Sequence, residues 1–296
     1  AKDTGAAEAV ISQEALHTAL ERRPVTSVSR IQDYNLCPYK FYAAALLGLQ
    51  ERDLGMPDPA VQGSFMHDVL KASLDDLMMR LSGVPAERAP AVIQAWRAWL
   101  RERGQADIET LLSSAGRARS LNFPGNDLRV MARLSPAIEA NLDRIAHLYA
   151  ARGARPVALE YRFSASDPEA IELEVSNVRY RFSGIIDRVD RYPDGTDVLI
   201  DYKRKDRRFD AAAFEAGTDI QLPFYENAWQ KLNPSATVRG FYYHALNEHM
   251  LNRSVGFQPT QDDPGQHMCE VDRRLETDAG LAGRALEIAA DTIARI

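Results

Sequence analysis

The 296 residues carry 42 acidic against 36 basic side chains, a formal net charge of −6, with 45% hydrophobic and 26% charged content. That suits a globular fold with a real core and leaves no global basic footprint, so any nucleic-acid binding must come from local basic clusters. No apolar run approaches the roughly 20 residues a membrane helix needs, no signal peptide is evident, and two cysteines, Cys37 and Cys269, fit a reducing cytoplasm rather than a disulfide framework.

Residues 1–24 are Ala-rich with a weak helical pattern, and read as a linker or the tail of a preceding domain. With Ala1 in place of Met and an unfinished helical pattern at Ile296, the expectation is an excerpt from a longer polypeptide. Ser29-Arg30-Ile31-Gln32 has the capping-box pattern that opens a helix. Cys37-Pro38-Tyr39 interrupts it, and Pro38 suits the first turn of a second helix running through Phe41 to Leu49. After a loop over 50–60, Gly63-Ser64 starts a helix with Met66, Val69, Leu70, Leu74 and Leu77 at helical spacing, and His67 one turn in. Residues 84–152 read as wholly helical, with segments Ala91–Arg103, Ile108–Leu112 and Arg129–Ala151. Together with the end of the preceding helix they form a helical insertion, about 75–152, within one domain spanning 25–296.

From Pro156 the hydrophobic period switches to two, and strands are predicted at Val157–Phe163 and Ile171–Val175, with a turn at Ser176-Asn177. The stretch Val178–Arg204 organises the rest. A long strand over 178–192, the turn signal Pro193-Asp194-Gly195 and a second strand at Asp197–Lys203 make a hairpin. Folding it about Asp194 sets Asp187 against Asp201 and Val189 against Leu199, with facing side chains roughly 4.5–5.5 Å apart. Two such carboxylates repel unless a cation sits between them, and Lys203, two residues on from Asp201, shares their face. Residues 204–218 read as a basic loop and a short helix. Thr218-Asp219-Ile220-Gln221 is a second capping-box pattern, opening a helix to about Leu232 that stacks Gln221 and Tyr225 at i and i+4. A strand over Thr237–Leu246 allows a crossover into a mixed sheet, then a polar loop precedes a last helix, Thr277–Ile296.

His67 in Gly63-Ser64-Phe65-Met66-His67, then Gly184-Ile185-Ile186-Asp187-Arg188-Val189-Asp190, then Asp201-Tyr202-Lys203, then Gln221 and Tyr225 resemble the ordered motifs of the RecB-like nuclease family. That family belongs to the PD-(D/E)xK superfamily, and the likeness is greatest to nuclease domains of AddB-type DNA repair proteins. The stretch Ser29–Leu49, with Cys37-Pro38-Tyr39-Lys40-Phe41, is similar to the same family's first helices. The resemblance runs in order through residues 26–246, and the set is far more specific than any one motif. It implies an α/β fold of restriction-endonuclease type, a mixed β-sheet core flanked by helices, cutting phosphodiester bonds with Mg²⁺ or Mn²⁺. It implies that His67, Asp187, Asp201 and the Tyr202 carbonyl bind metal, that Lys203 positions or activates the attacking water, and that Gln221 and Tyr225 line the DNA side. AddB-type relatives often hold a 4Fe–4S cluster using the Cys of the Cys-Pro-Tyr motif and three cysteines near the C-terminus. Four thiolates are needed, and with only Cys269 downstream of Cys37 an iron–sulfur cluster is not supported by this stretch alone; the question reopens if the natural chain continues past Ile296.

Divalent ions fit this chemistry because they lower the pKa of bound water and stabilise developing charge, and hard oxygen ligands with one His suit Mg²⁺ and Mn²⁺. Each residue also has a plainer reading. Asp187 and Asp201 fit a solvated hairpin paired to Arg188 or Arg204, although acids flanked by Ile185, Ile186, Leu199 and Ile200 need a partner. His67 alone reads as an ordinary helix histidine, Lys203 as a sheet-edge charge, Gln221 and Tyr225 as helix surface and core rim. Glu160 reads as an edge-strand carboxylate before an additional acid, and Trp96 and Trp99 as insertion core before base-stacking platforms. The densest basic run, with Arg204, Lys205, Arg207 and Arg208, follows directly on the acids and is expected, with Lys40, to contact phosphate. Arg179, Arg181 and Arg188 are candidates to extend that patch, with the alternative that Arg181 and Arg188 face away from the metal.

The expectation is a metal-dependent DNA nuclease, an exonuclease on ends or single strands, working with a helicase-like region or subunit in a larger repair or recombination complex. The alternative is a non-catalytic DNA-end-binding scaffold module of the same fold, which has no need to keep Asp187, Asp201 and Lys203 together. A helical interaction protein leaves the paired acids without a purpose.

Overall fold

The computed structural model describes residues 27–49, 59–102, 127–168, 170–203, 210–246 and 280–296. Helices α1 (Val28–Leu36) and α2 (Pro38–Phe41) are separated at Cys37 as the Cys-Pro pair dictates, with Pro38 in the first turn of α2. The Ser29 capping box does not form. Ser27, extended at φ −145°, holds the cap position, so Ser29 already lies inside the helix. The second helix also ends early, in a π-helical turn over Tyr42–Leu46, ahead of Gly48 in a left-handed conformation. Helix α3 (Pro59–Leu81) starts four residues before Gly63, which puts His67 about two turns into it. Helix α4 covers 89–102 and α5 is Asp127–Arg152, ending at Gly153 with φ +67°.

The strands are β1 (Arg155–Phe163), β2 (Glu172–Val175), β3 (Val178–Arg181), β4 (Gly184–Arg191), β5 (Thr196–Lys203) and β6 (Thr237–Ala245). The long strand expected over 178–192 is two strands. Phe182, fully buried, and Ser183 break it, and β3 pairs back with β2 through a turn at Ser176 and Asn177, both at positive φ. The four-stranded sheet has the order β1-β4-β5-β6, with β5 antiparallel to β4 and parallel to β6. It is therefore a mixed sheet with helices on both faces. The hairpin register is the one read from its turn. Val189 opposes Leu199, the ladder runs from Arg191–Asp197 to Arg188–Ile200, and Asp187 and Asp201 lie one residue beyond its last pair.

Helix α6 (Ala211–Glu215) is capped by Asp210, whose carboxylate accepts from the backbone N–H of Ala212 and Ala213. Helix α7 (Gln221–Leu232) carries the crossover to β6, and α8 (Leu281–Arg295) packs on α7 and α1. The Thr218 capping box does not form either. Thr218 Oγ1 donates to the Ala213 carbonyl, and the Gln221 side chain turns to Asp201 and Lys203.

One core, with Val189, Leu199, Phe214, Phe224 and Ile288, lies between the sheet and α7–α8. The other packs α3, α4 and α5, including Leu70, Leu74, Trp96, Leu142 and Ile145, on Val198, Ile200 and Tyr202 of β5. Trp96 is buried, while Trp99 is half-buried with the Arg80 guanidinium 4.7 Å from its ring centre. Among the described residues, no helix is long and apolar enough to cross a membrane.

Candidate metal centre

The site forms where β1, β4 and β5 reach one end of the sheet and α3 and α7 close over it. On the α7 side, the Asp201 carboxylate, buried at 3% exposure, takes the Lys203 ammonium at 2.5 Å on one oxygen and the Gln221 amide at 2.9 Å on the other. Lys203 donates in turn to Gln221 Oε1 at 3.2 Å and lies 5.4 Å from the centre of the Tyr243 ring, whose hydroxyl bonds to Asp219. Trp229 Nε1, donating to Asp197 at 3.0 Å, pins α7 to the base of the hairpin and so sets where Gln221 falls.

On the α3 side, His67 Nδ1 lies 3.3 Å from Glu160 and 3.7 Å from Asp187. The ligand atoms of His67, Glu160 and Asp187 all fall within 4.8 Å of one another. Asp187 Oδ2 accepts the Tyr202 backbone N–H at 2.7 Å, which ties the end of β4 to β5 where the ladder has stopped.

Glu160, which reads from the sequence as an edge-strand carboxylate before an additional acid, belongs to this cluster. It does lie on an edge strand, but between the pairs Leu159–Arg188 and Tyr161–Ile186 it comes level with Asp187 on β4. Its φ of +46° is left-handed, a strained setting for a residue with a side chain, and such strain gathers at functional sites. Nothing in local spacing marks Glu160; only the β1–β4 pairing brings it in.

Gly184 has a reason that is likewise visible only in three dimensions. A Cβ there would lie 2.5 Å from Phe163 and 2.9 Å from Tyr225, so the glycine lets the two rings meet at the sheet end. Tyr225 hydrogen-bonds with Gln221 and the Ile185 backbone, and burial, with the Asp201 charge, pushes its hydroxyl up and keeps it protonated.

The remaining candidates scatter. Lys40 pairs with Asp33, Arg179 with Glu174 and Arg181 with Glu172. Arg188 is fully buried on the opposite face of the sheet, among tyrosines, and so cannot belong to a phosphate-contacting patch. Arg204, Lys205, Arg207, Arg208 and Cys269 lie outside the described residues.

Burial and neighbouring charges shift Asp187 and His67 of this cluster. Burial, then the neighbouring Asp201 charge, push the Asp187 carboxyl up to about 7. Burial opposes charging of His67, but the hydrogen bond to Glu160 and the charges of Asp187, Glu160 and Asp201 outweigh it and raise its pKa. One imidazole nitrogen with hard carboxylate oxygens is a donor set that fits Mn²⁺ and Mg²⁺.

The family model of the PD-(D/E)XK nuclease superfamily matches residues 25–293, nearly the whole chain. The chain belongs to that superfamily. Its curated relatives include proteins named as a subunit of an ATP-dependent helicase/deoxyribonuclease. That of Acetivibrio thermocellus is 29% identical over 230 residues, 74% of this chain and 19% of the relative. That of Ruminiclostridium cellulolyticum is 26% identical over 270 residues, 86% of this chain and 22% of the relative. That of Moorella thermoacetica is 28% identical over 253 residues, 80% and 21%. The chain thus spans about a fifth of the length of these relatives.

The raised pKa values of Asp187 and His67 have one consequence for stability. Asp187 and His67 both bind protons more tightly folded than unfolded, so stability present at low pH is lost as pH rises through about 7. In EDTA the melting temperature is therefore expected to decline from about pH 5 to about pH 8. Asp187→Asn should flatten that slope in differential scanning fluorimetry, and Mn²⁺ should restore the wild-type protein at the alkaline end.

Proposed function

We propose that this chain is a metal-dependent deoxyribonuclease, hydrolysing phosphodiester bonds with Mg²⁺ or Mn²⁺ as an exonuclease on DNA ends or single strands. The single observation that carries the reading is the convergence of two acid groups at one sheet end, His67–Glu160–Asp187 and Asp201–Lys203–Gln221. Membership of the PD-(D/E)XK superfamily supports it, as do relatives whose names join helicase and deoxyribonuclease.

His67, Asp187, Asp201 and the Tyr202 carbonyl would hold the ion, with Glu160 a further donor within reach of His67 and Asp187. A divalent ion so held supplies acidity to water and relief of charge on the phosphate. Asp187 has to release its proton first, so binding strengthens as pH rises. Lys203 keeps an ammonium beside Asp201, where it can orient the attacking water and balance charge on the phosphate oxygens. Gln221 holds Asp201 and Lys203 in register with one amide, and Tyr225 braces Gln221. Lys40, Arg204, Lys205, Arg207 and Arg208 would contact the DNA backbone. The domain would be residues 25–296, with 1–24 a linker or preceding tail, acting in the cytoplasm with a helicase-like region or subunit during repair or recombination.

The test is cleavage of end-labelled single- and double-stranded DNA in Mn²⁺, Mg²⁺ or EDTA, by the wild-type chain and by Asp201→Ala. Metal-dependent shortening from an end, absent in the variant, is expected. Binding without cleavage in either metal would instead establish the end-binding scaffold.

A further inference from the structure

Neighbouring residues of a strand point to opposite faces. Asp187 turns to the metal site, and Arg188 turns under the sheet into the helical layer. Its guanidinium is fully buried, donating to Tyr202 Oη at 2.9 Å and Tyr242 Oη at 2.8 Å, with Asp190 at 3.2 Å from Nε. Asp190 also accepts from Tyr149 Oη of α5 at 2.6 Å. Apolar side chains of similar volume often replace a buried ion pair without loss of stability, so packing alone does not demand a charge here.

Tyr202 links this network to the candidate metal centre. Its backbone N–H holds Asp187, and its hydroxyl is held by Arg188. Its ring meets the His67 imidazole edge to face, with centroids 5.2 Å apart and planes at 74°. His244 packs on the same ring at 5.4 Å and 83°. Both carboxylate contacts are to Nδ1 of His67, and the Tyr202 ring packs against the same imidazole.

We infer that Arg188 is a positioning residue for the metal-binding imidazole: by anchoring the Tyr202 hydroxyl from beneath the sheet, it fixes the ring that orients His67. This rests on the proposed metal-binding role of His67. Outer groups that orient a metal-ligating histidine typically change metal affinity about 10–100-fold when removed. The informative variant is Tyr202→Phe, which keeps the ring, the backbone amide and the carbonyl and deletes only the acceptor for Arg188. Arg188→Lys is the second variant, since one ammonium cannot reproduce the planar fork that spans two hydroxyls.

The measurements are Mn²⁺ titration by calorimetry or electron paramagnetic resonance, well below the melting temperature, and long-range ¹H–¹⁵N correlation of the His67 ring in metal-free protein. Tyr202→Phe is expected to weaken Mn²⁺ binding about 10-fold and to shift the His67 ring signals, with His67→Ala weakening it at least as much. If His67→Ala weakens Mn²⁺ binding but Tyr202→Phe leaves both affinity and ring signals unchanged, the positioning role is overturned while the metal centre stands. If the wild-type chain binds no Mn²⁺, or His67→Ala leaves binding unchanged, the metal role of His67 fails and this inference with it. Should Arg188→Lys not fold, Tyr202→Phe alone decides.

Discussion

Lys203→Ala is expected to slow DNA hydrolysis about 10²–10³-fold, the usual loss when one preorganised donor is taken from a site of developing charge. The ammonium is half-buried and held by Asp201, by Gln221 and over the Tyr243 ring, so in the proposed reaction it would need little reorganisation as a phosphate gained charge. Removing it leaves Asp201 still bound by the Gln221 amide at 2.9 Å, and the carboxylate keeps its place. A positive charge beside Asp201 also opposes a second cation there, so Mn²⁺ binding should be retained or tightened in the variant. The expected pattern is a fall in kcat with KM little changed. Lys203→Arg should not restore the rate, because a planar guanidinium cannot occupy the position of a compact ammonium between a carboxylate and an amide. Equal rates for wild type and Lys203→Ala, with Mn²⁺ bound in both, would remove the lysine from the chemistry. Loss of Mn²⁺ binding in Lys203→Ala would assign it to holding the site together.

Trp96→Ala is expected to cost about 3–5 kcal/mol of stability, the range for deleting a large buried aromatic. Total stabilities are only about 5–15 kcal/mol, so this single change should bring the protein close to unfolding at moderate temperature. Trp96 is fully buried, and its indole N–H makes no hydrogen bond among the described residues, so the loss is packing and cavity rather than a broken polar contact. The cluster it fills is shared. Helices α3, α4 and α5 meet Val198, Ile200 and Tyr202 of β5 within it, with no separate core for these helices among the described residues. Urea unfolding of Trp96→Ala should therefore remain one transition, at a lower midpoint, reported alike by fluorescence and circular dichroism. Two transitions, with the sheet surviving loss of the helices, would make the insertion an independent domain.

The order of elements and the register of the central hairpin are legible in the residues alone. Pro193-Asp194-Gly195 fixes the turn, the strand period fixes which side chains share a face, and the pairing of Val189 with Leu199 follows. His67, Asp187, Asp201, Lys203, Gln221 and Tyr225 could all be marked as candidates from type and order, and they do gather at one end of the sheet. Local signals failed where a distant partner competed more strongly. Two capping boxes were not used, one because Gln221 reaches Asp201 and Lys203 instead. Phe182, buried in the core, split a strand that looked continuous.

Packing in three dimensions was needed to set Glu160 beside Asp187 and to bury Arg188 completely under the sheet, where strand alternation had left it free to face either way from the metal. Both outcomes depend on which strand lies next to which, and on which face the helices cover. Spacing along a chain reports the face of one strand, whereas the neighbours of that face are chosen by packing among segments far apart in sequence.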